Sequence, residues 1–169
     1  FNHQYVSREA VIKHLPLAIE TELQVGDEII VHHNVFRRWH NVHGEEKNSR
    51  SFLDENTYCV KQDQIYSYNR NKCGWKTLDG FCFVKPIKSN DNFVTEREKL
   101  FVGIMKYVDP LLEEYNISEG DLVGFTPDSE FEFVIDGERL YRVLTTDISL
   151  KYEYKGNEEE YNPSWASSS

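Results

Sequence analysis

The chain has 169 residues, enough for one ordinary domain or two small ones with a real core. Ten Phe, ten Tyr and three Trp against nine Gly and five Pro make a globular composition, which excludes a low-complexity or disordered chain. Twenty-nine acidic residues against nineteen basic ones give a net charge of −10, which disfavours a general nucleic-acid binder. No run approaches the roughly eighteen apolar residues of a membrane-spanning helix.

Taken in chain order, the elements occur twice. Ala10-Val11-Ile12-Lys13-His14-Leu15 matches Gly103-Ile104-Met105-Lys106-Tyr107-Val108, and Pro16-Leu17 matches Pro110-Leu111. In both copies eight residues then lead to a Gly-Asp pair, Gly26-Asp27 and Gly120-Asp121, followed by an apolar run, EIIV or LVGF. Farther on, Tyr58, Val60 and Ile65 match Tyr141, Val143 and Ile148 in identical spacing, the first copy being eleven residues longer in between.

That extra length lies around Val31 to Arg50, VHHNVFRRWHNVHGEEKNSR, which holds four of the six histidines. Read as one extended strand to His43, it alternates its side chains between two faces, so His32 and His33 point apart and no two histidines stand at i, i+2. A structural zinc site is therefore disfavoured. The stretch reads instead as a lengthened strand pair whose Phe36, Arg37, Arg38 and Trp39 form a basic, aromatic assembly arm. A solvated loop is the alternative. Cys59, Cys73 and Cys82 are an odd set without paired metal-ligand spacing, which fits a reducing, cytoplasmic compartment.

The segment NRNKCGWKTLDG reads as a connector. Phe81-Cys82-Phe83-Val84 is a strand ended by Lys85-Pro86, and Phe131 to Ile135 alternates into the Asp136-Gly137 hairpin signal, with Leu140 to Val143 returning. Ile148 to Tyr154 alternates again, Asp109 to Tyr115 allows one helical turn, and no longer helical stripe occurs. The expected organisation is a first barrel over 1–68, a connector at 69–80, a second barrel over 81–154 and a C-terminal tail over 155–169. The first copy has no counterpart to the strand Phe81–Ile87, and residues upstream of Phe1 are expected to complete it. Short strands at close spacing point to small all-β barrels.

The order FCFVKPI, VGIMKY, ISEGDLVGF, LYRVLTTDISLKYEY, with AVIKHL, LQVGDEIIV and TYCVKQDQIYSY repeating it, resembles the GroES-type co-chaperonin family. The resemblance implies two tandem GroES-like β-barrels that work as part of a homo-oligomeric ring and bind a chaperonin through a loop. The loop here is Lys88 to Leu100, and its Asn92, Phe93, Val94 and Thr95 are the candidate partner-binding residues. This loop lacks the family's Gly-Gly, and burial of Phe93 and Val94 would contribute about 3–6 kcal/mol before the cost of ordering. The alternative reading is a structural protein, for example a virion component, whose barrels contact neighbouring subunits; the chain then belongs in the host cytoplasm or the virion. In the tail, Tyr161, Pro163 and Trp165 are candidate docking residues against a disordered end. No phosphate loop, nucleophile elbow or Cys-His arrangement is present, so the expectation is a non-enzyme without cofactor or metal. Glu130 and Glu132 read as an exposed strand face.

Overall fold

The structure, a computed structural model, describes residues 8–89 and 98–168. It is 43% strand and 8% helix, so the protein is all-β. The described residues form two compact units that divide between Leu78 and Asp79.

The first unit contains β1 (Glu9–Val11), β2 (Glu28–Val31), β3 (Arg38–His40), β4 (Glu46–Asn48), β5 (Phe52–Asp54), β6 (Thr57–Tyr58), β7 (Ile65–Asn69) and β8 (Trp75–Thr77). An antiparallel sheet runs β1-β2-β7-β8, while β3–β4 and β5–β6 are separate hairpins. The second unit contains β9 (Phe81–Lys88), β10 (Glu98–Tyr107), the single-turn helix α1 (Pro110–Glu113), β11 (Leu122–Phe125), β12 (Phe131–Ile135), β13 (Glu138–Leu144) and β14 (Ile148–Tyr152). Its sheet runs β12-β13-β9-β10-β11-β14.

Neither sheet closes into the expected barrel. Among the described residues β1 and β8 end the smaller sheet, and β12 and β14 end the larger. Asp136 and Gly137, both at positive φ, turn β12 back onto β13 in the register Ile135↔Glu138, and β13 then gives its other side to β9. That leaves β12 outermost.

The triplet β1-β2-β7 repeats β10-β11-β14 register for register. Ala10 faces Ile29 as Gly103 faces Val123, and Tyr68 faces Ile29 as Lys151 faces Val123. Both triplets place an irregularity at the same step, after Ile30 and after Gly124. The Gly-Asp turns also correspond. Gly26 N–H donates to Ile12 O at 2.8 Å and Gly120 N–H to Met105 O at 2.8 Å. Asp27 accepts from Gln24 N–H at 2.8 Å and Asp121 from Ser118 N–H at 2.9 Å, an Asx-type closure that fixes the turn.

Two segments depart from the sequence reading. In the stretch 69–80, read as a connector, Asn71 and Lys72 adopt φ of 53° and 55° and Gly74 of 110°, so the chain reverses and β8 pairs with β7 (Asn69↔Trp75). The alternation across Val31 to His43 is broken by a turn at 33–36, because Val35 is drawn into full burial with its N–H on His32 O. His32 and His33 consequently stack, centroids 4.0 Å apart, instead of pointing to opposite faces.

In the second unit the core packs Cys82 and Val84 of β9, Met105 of β10, Val123 and Phe125 of β11 and Val143 of β13 around Leu112 and Ile117. Full burial of each large apolar side chain contributes about 1.5–3 kcal/mol. Leu112 enters this core because Asp109 caps α1. The buried Asp109 carboxylate accepts from Leu111 N–H (3.0 Å), Gly80 N–H (2.8 Å) and the buried Thr145 Oγ1 (2.6 Å).

Candidate functional site

The second unit carries a recess of about 310 Å³ lined by Glu98, Leu100, Glu132, Arg139, Tyr161, Pro163 and Trp165. Three strands and the tail build it. Arg139 follows the Asp136-Gly137 hairpin and faces Val134, which puts it diagonal to Glu132 on one face of the β12–β13 pair. Glu98 opens β10, opposite Lys88 of β9. Arg139 pairs with Glu98 and, at 3.2 Å, with Glu132; it also donates to the Tyr141 hydroxyl at 2.7 Å. Its guanidinium lies 5.0 Å from the Tyr141 ring centre and 5.9 Å from that of Tyr161.

Burial works against the Arg139 charge, but the hydrogen bonds to Glu98 and Glu132 outweigh it and raise its pKa. Burial, and then the hydrogen bond to Glu98, push the Tyr141 phenol upward. Neither group exchanges a proton near neutrality. Two carboxylates share one guanidinium, so the cluster is a fixed array of charge beside aromatic faces, suited to holding a surface in shape.

The tail forms the other wall. Pairing of β13 with β9 stops at Tyr141↔Val84, and beyond that point the tail takes over β9's free side. Lys88 N–H donates to Glu159 O and Tyr161 N–H to Pro86 O, each at 2.8 Å, with Ile87 opposite Glu160. Asn162 uses both ends of its amide. Its oxygen accepts from the buried Lys85 ammonium (2.8 Å) and from Arg139 N–H (2.9 Å), while its NH₂ reaches Gly137 O and Ser167 Oγ at 3.2 Å each. Burial lowers the pKa of Lys85, and the neighbouring Glu138 and Glu160 oppose that shift. Ala166 is fully buried, and Tyr161, Pro163 and Trp165 are half-buried along the recess. The structure thus places the three tail residues against their own unit.

The four arm residues are not brought together in one way. Phe36 packs edge-on against Tyr58 with centroids 4.8 Å apart. Arg38 and Trp39 lie on the exposed β3, in a hairpin with β4 that pairs Arg38 with Asn48 and Trp39 with Lys47. Arg38 meets Glu46 at 3.8 Å, and the exposed Arg37 sits 5.6 Å from the Trp39 ring centre. Asn92, Phe93, Val94 and Thr95 lie outside the described residues. Among the described residues no three His, Cys, Asp or Glu side chains converge as a metal would require.

Sequence reasoning missed the Glu98–Arg139–Glu132 cluster. Glu132 is no open strand face: its side chain is 21% exposed and turned onto Arg139. The Asp136-Gly137 turn was the available signal, since a two-residue hairpin sets Glu132 and Arg139 diagonal to one another. Glu98, distant in sequence, gave none.

No protein-family model matches the chain, and no curated protein matches it.

Proposed function

We propose that this chain is a non-enzymatic subunit of the GroES-like, co-chaperonin type, in which two tandem units are open-edged versions of one small β-barrel. The observation that carries the reading is the repeated triplet: β1-β2-β7 and β10-β11-β14 share register, bulge position and Gly-Asp turn. Chance similarity in short strands does not extend to a shared irregularity, because a one-residue slip would reverse every side chain. Three free cysteines, Cys59, Cys73 and Cys82, are in keeping with a reducing cytoplasm.

On this reading the chaperonin is met through Asn92, Phe93, Val94 and Thr95, with Phe93 and Val94 supplying the apolar contact and several copies adding through avidity. The test is retention of the chain on an immobilised chaperonin with ATP. Retention that Phe93→Asp reduces at least tenfold is expected. No retention, or retention indifferent to Phe93→Asp, sinks the co-chaperonin reading.

A second reading is a structural assembly protein, such as a virion component, whose neighbouring copies contact one another and never a chaperonin. The exposed β3–β4 hairpin favours it, since Arg37, Arg38 and the 42%-exposed Trp39 form a local basic patch on a chain of net charge −10. Loss of assembly in the double variant Arg37→Glu, Arg38→Glu, without chaperonin retention by the parent chain, would select this reading.

A further inference from the structure

We propose that the β3–β4 hairpin is a docking arm for an acidic, extended segment of another protein, read by Trp39 between the cations of Arg37 and Lys47. The inference starts from charge. Arg37, Arg38, Lys47 and Arg50 against Glu45 and Glu46 leave residues 36–50 at +2, so the rest of a chain of net charge −10 carries −12. Composition alone does not put a basic patch on so acidic a surface, and the patch attracts what the remaining surface repels.

Pairing decides which cations share a face. Opposite residues of an antiparallel pair point to the same side, so Trp39 and Lys47 stand together, while Arg38 with Asn48 and His40 with Glu46 take the other side. Arg37 joins the Trp39 side, its guanidinium 5.6 Å from the ring centre. Trp39 is 42% exposed, and Arg37 and Lys47 are exposed beside it. Lys47 meets Glu45 at 3.0 Å and Arg38 meets Glu46 at 3.8 Å, but among the described residues neither Arg37 nor Arg50 pairs with a carboxylate. An aromatic face with an uncommitted guanidinium beside it takes an apolar side chain and a carboxylate from neighbouring positions of a bound segment.

The arm holds this shape by itself. At its tip the Asn41 oxygen accepts from His43 N–H (2.9 Å) and Glu45 N–H (3.0 Å), and its NH₂ donates to Glu45 Oε2 (2.8 Å). At its base Val35 is fully buried, the Ser49 hydroxyl donates to Val35 O, and Tyr58 packs edge-on against Phe36 and Phe52 at 4.8 and 5.8 Å. A site formed in advance loses little freedom on binding. The hairpin pairs with no other strand among the described residues, and none of its strand residues is buried, so packing does not account for its composition.

The same charges select the partner. A nucleic acid presents a continuous row of phosphates, which would meet Glu45 and Glu46 at the tip and the −12 of the remaining chain. A short segment with a few carboxylates engages the arm alone. The inference goes beyond both readings of function, because it needs neither a chaperonin nor a second copy of the chain.

The test titrates the full chain into a fluorescein-labelled peptide of alternating Glu and Phe, with a Gln-Phe peptide and oligothymidylate as rival probes. Expected is a Kd of about 10–100 µM for the acidic peptide at about 50 mM salt, at least threefold weaker at about 300 mM, with the Trp39 indole N–H resonance shifting on titration. The Gln-Phe peptide should bind at least tenfold more weakly. Trp39→Ala and Arg37→Glu should each raise the Kd at least tenfold. Lys76→Glu, the same change of charge at an exposed position of β8 in the same unit, should leave it within twofold. No binding at about 1 mM, tighter binding of oligothymidylate, or equal losses in Arg37→Glu and Lys76→Glu would each overturn the assignment. Peptide binding by a chain that neither assembles nor is retained by a chaperonin would sink both readings of function and leave the arm standing. Chaperonin retention without peptide binding would overturn the arm and leave the co-chaperonin reading intact.

Discussion

In the first unit the turn aspartate Asp27 is held by Arg70, through Nε at 2.9 Å and Nη2 at 2.8 Å; in the second, Asp121 is held by Lys151 at 2.8 Å. Aligned by register, these cations are not equivalent. Tyr68 occupies the position of Lys151, and Arg70 stands two residues farther on, just past the end of β7. Both nonetheless reach the backbone carbonyl that precedes the turn, Glu22 O at 2.8 Å and Asn116 O at 2.7 Å. Each turn carboxylate is met by a cation, and the longer, forked guanidinium reaches from farther away than an ammonium does. What is shared between the units is backbone register and turn; the charge that closes the turn is free to move.

The same comparison explains where the units part. Tyr152 covers Gly124 so closely that a methyl group there would lie 2.9 Å from the ring, while the first unit fills the corresponding space with Ile30 and sets Asn69 at the place of Tyr152. The helix α1 has no counterpart in the first unit because Asp109 has none: Leu15 aligns with Val108 and Pro16 with Pro110. Ala18 stands at the place of Leu112, and the neighbouring Leu17 and Ile19 are exposed, while Leu112 of the second unit reaches the core.

The largest effect is therefore expected at Asp109. Asp109→Ala leaves the N–H groups of Gly80 and Leu111 and the hydroxyl of Thr145 without their acceptor, and should cost the second unit about 3 kcal/mol. Denaturant unfolding followed by hydrogen exchange would locate the loss in the second unit and leave the first unchanged. A loss below about 1 kcal/mol would break the account of why only one unit has the helical turn.

Next in size is Gly103. A β-carbon there would lie 2.7 Å from Lys85 O and 2.8 Å from Val84 Cγ1, because β9 crosses at that point, so Gly103→Ala should cost about 2 kcal/mol. The first unit already has Ala10 at the equivalent place, beside an edge with no strand among the described residues. Ala10→Gly should cost about 0.5–1 kcal/mol, from backbone freedom alone. A gain in stability on Ala10→Gly would instead mean that β1 is covered as β10 is.

The repeat was legible because strand register leaves a mark in sequence: alternation and the Gly-Asp turn fix which residues face one another, and blocks such as Ala10–Leu15 and Gly103–Val108 preserve it. The hairpin at Asp136-Gly137 was legible for the same reason. β8 was not, since three residues after a left-handed turn at Asn71 and Lys72 carry too little pattern to separate a strand from a connector. Closure was not legible either. Whether β12 or β14 meets another strand depends on edges, which local periodicity does not report. At the recess, Tyr161, Pro163 and Trp165 stood out as aromatics in a polar tail, but Asn162, whose amide ties that tail to Lys85, Arg139 and Gly137, is an ordinary polar residue until its partners are in place.

The smallest effect, and the sharpest test of the two turns, comes from acid. Hydrogen bonding and charge from Arg70, with the Gln24 N–H, hold the Asp27 carboxyl below its ordinary value despite burial, and Lys151 with the Ser118 amide does the same for Asp121. A carboxylate whose pKa is lower folded than unfolded contributes stability that is complete above about pH 4 and disappears as pH falls through the folded value. Both units should therefore weaken below about pH 4, the first by more, since Asp27 accepts two hydrogen bonds from the Arg70 guanidinium and Asp121 one contact from the Lys151 ammonium. Asp27→Asn should cost the first unit about 1–2 kcal/mol at neutral pH and remove most of its acid-limb slope. Asp121→Asn should change the second unit less in both respects. Unit-resolved hydrogen exchange between about pH 3 and 7 measures the two slopes. Identical slopes would show that the guanidinium and the ammonium hold their turns equally, and that the change of cation between the units has no energetic consequence.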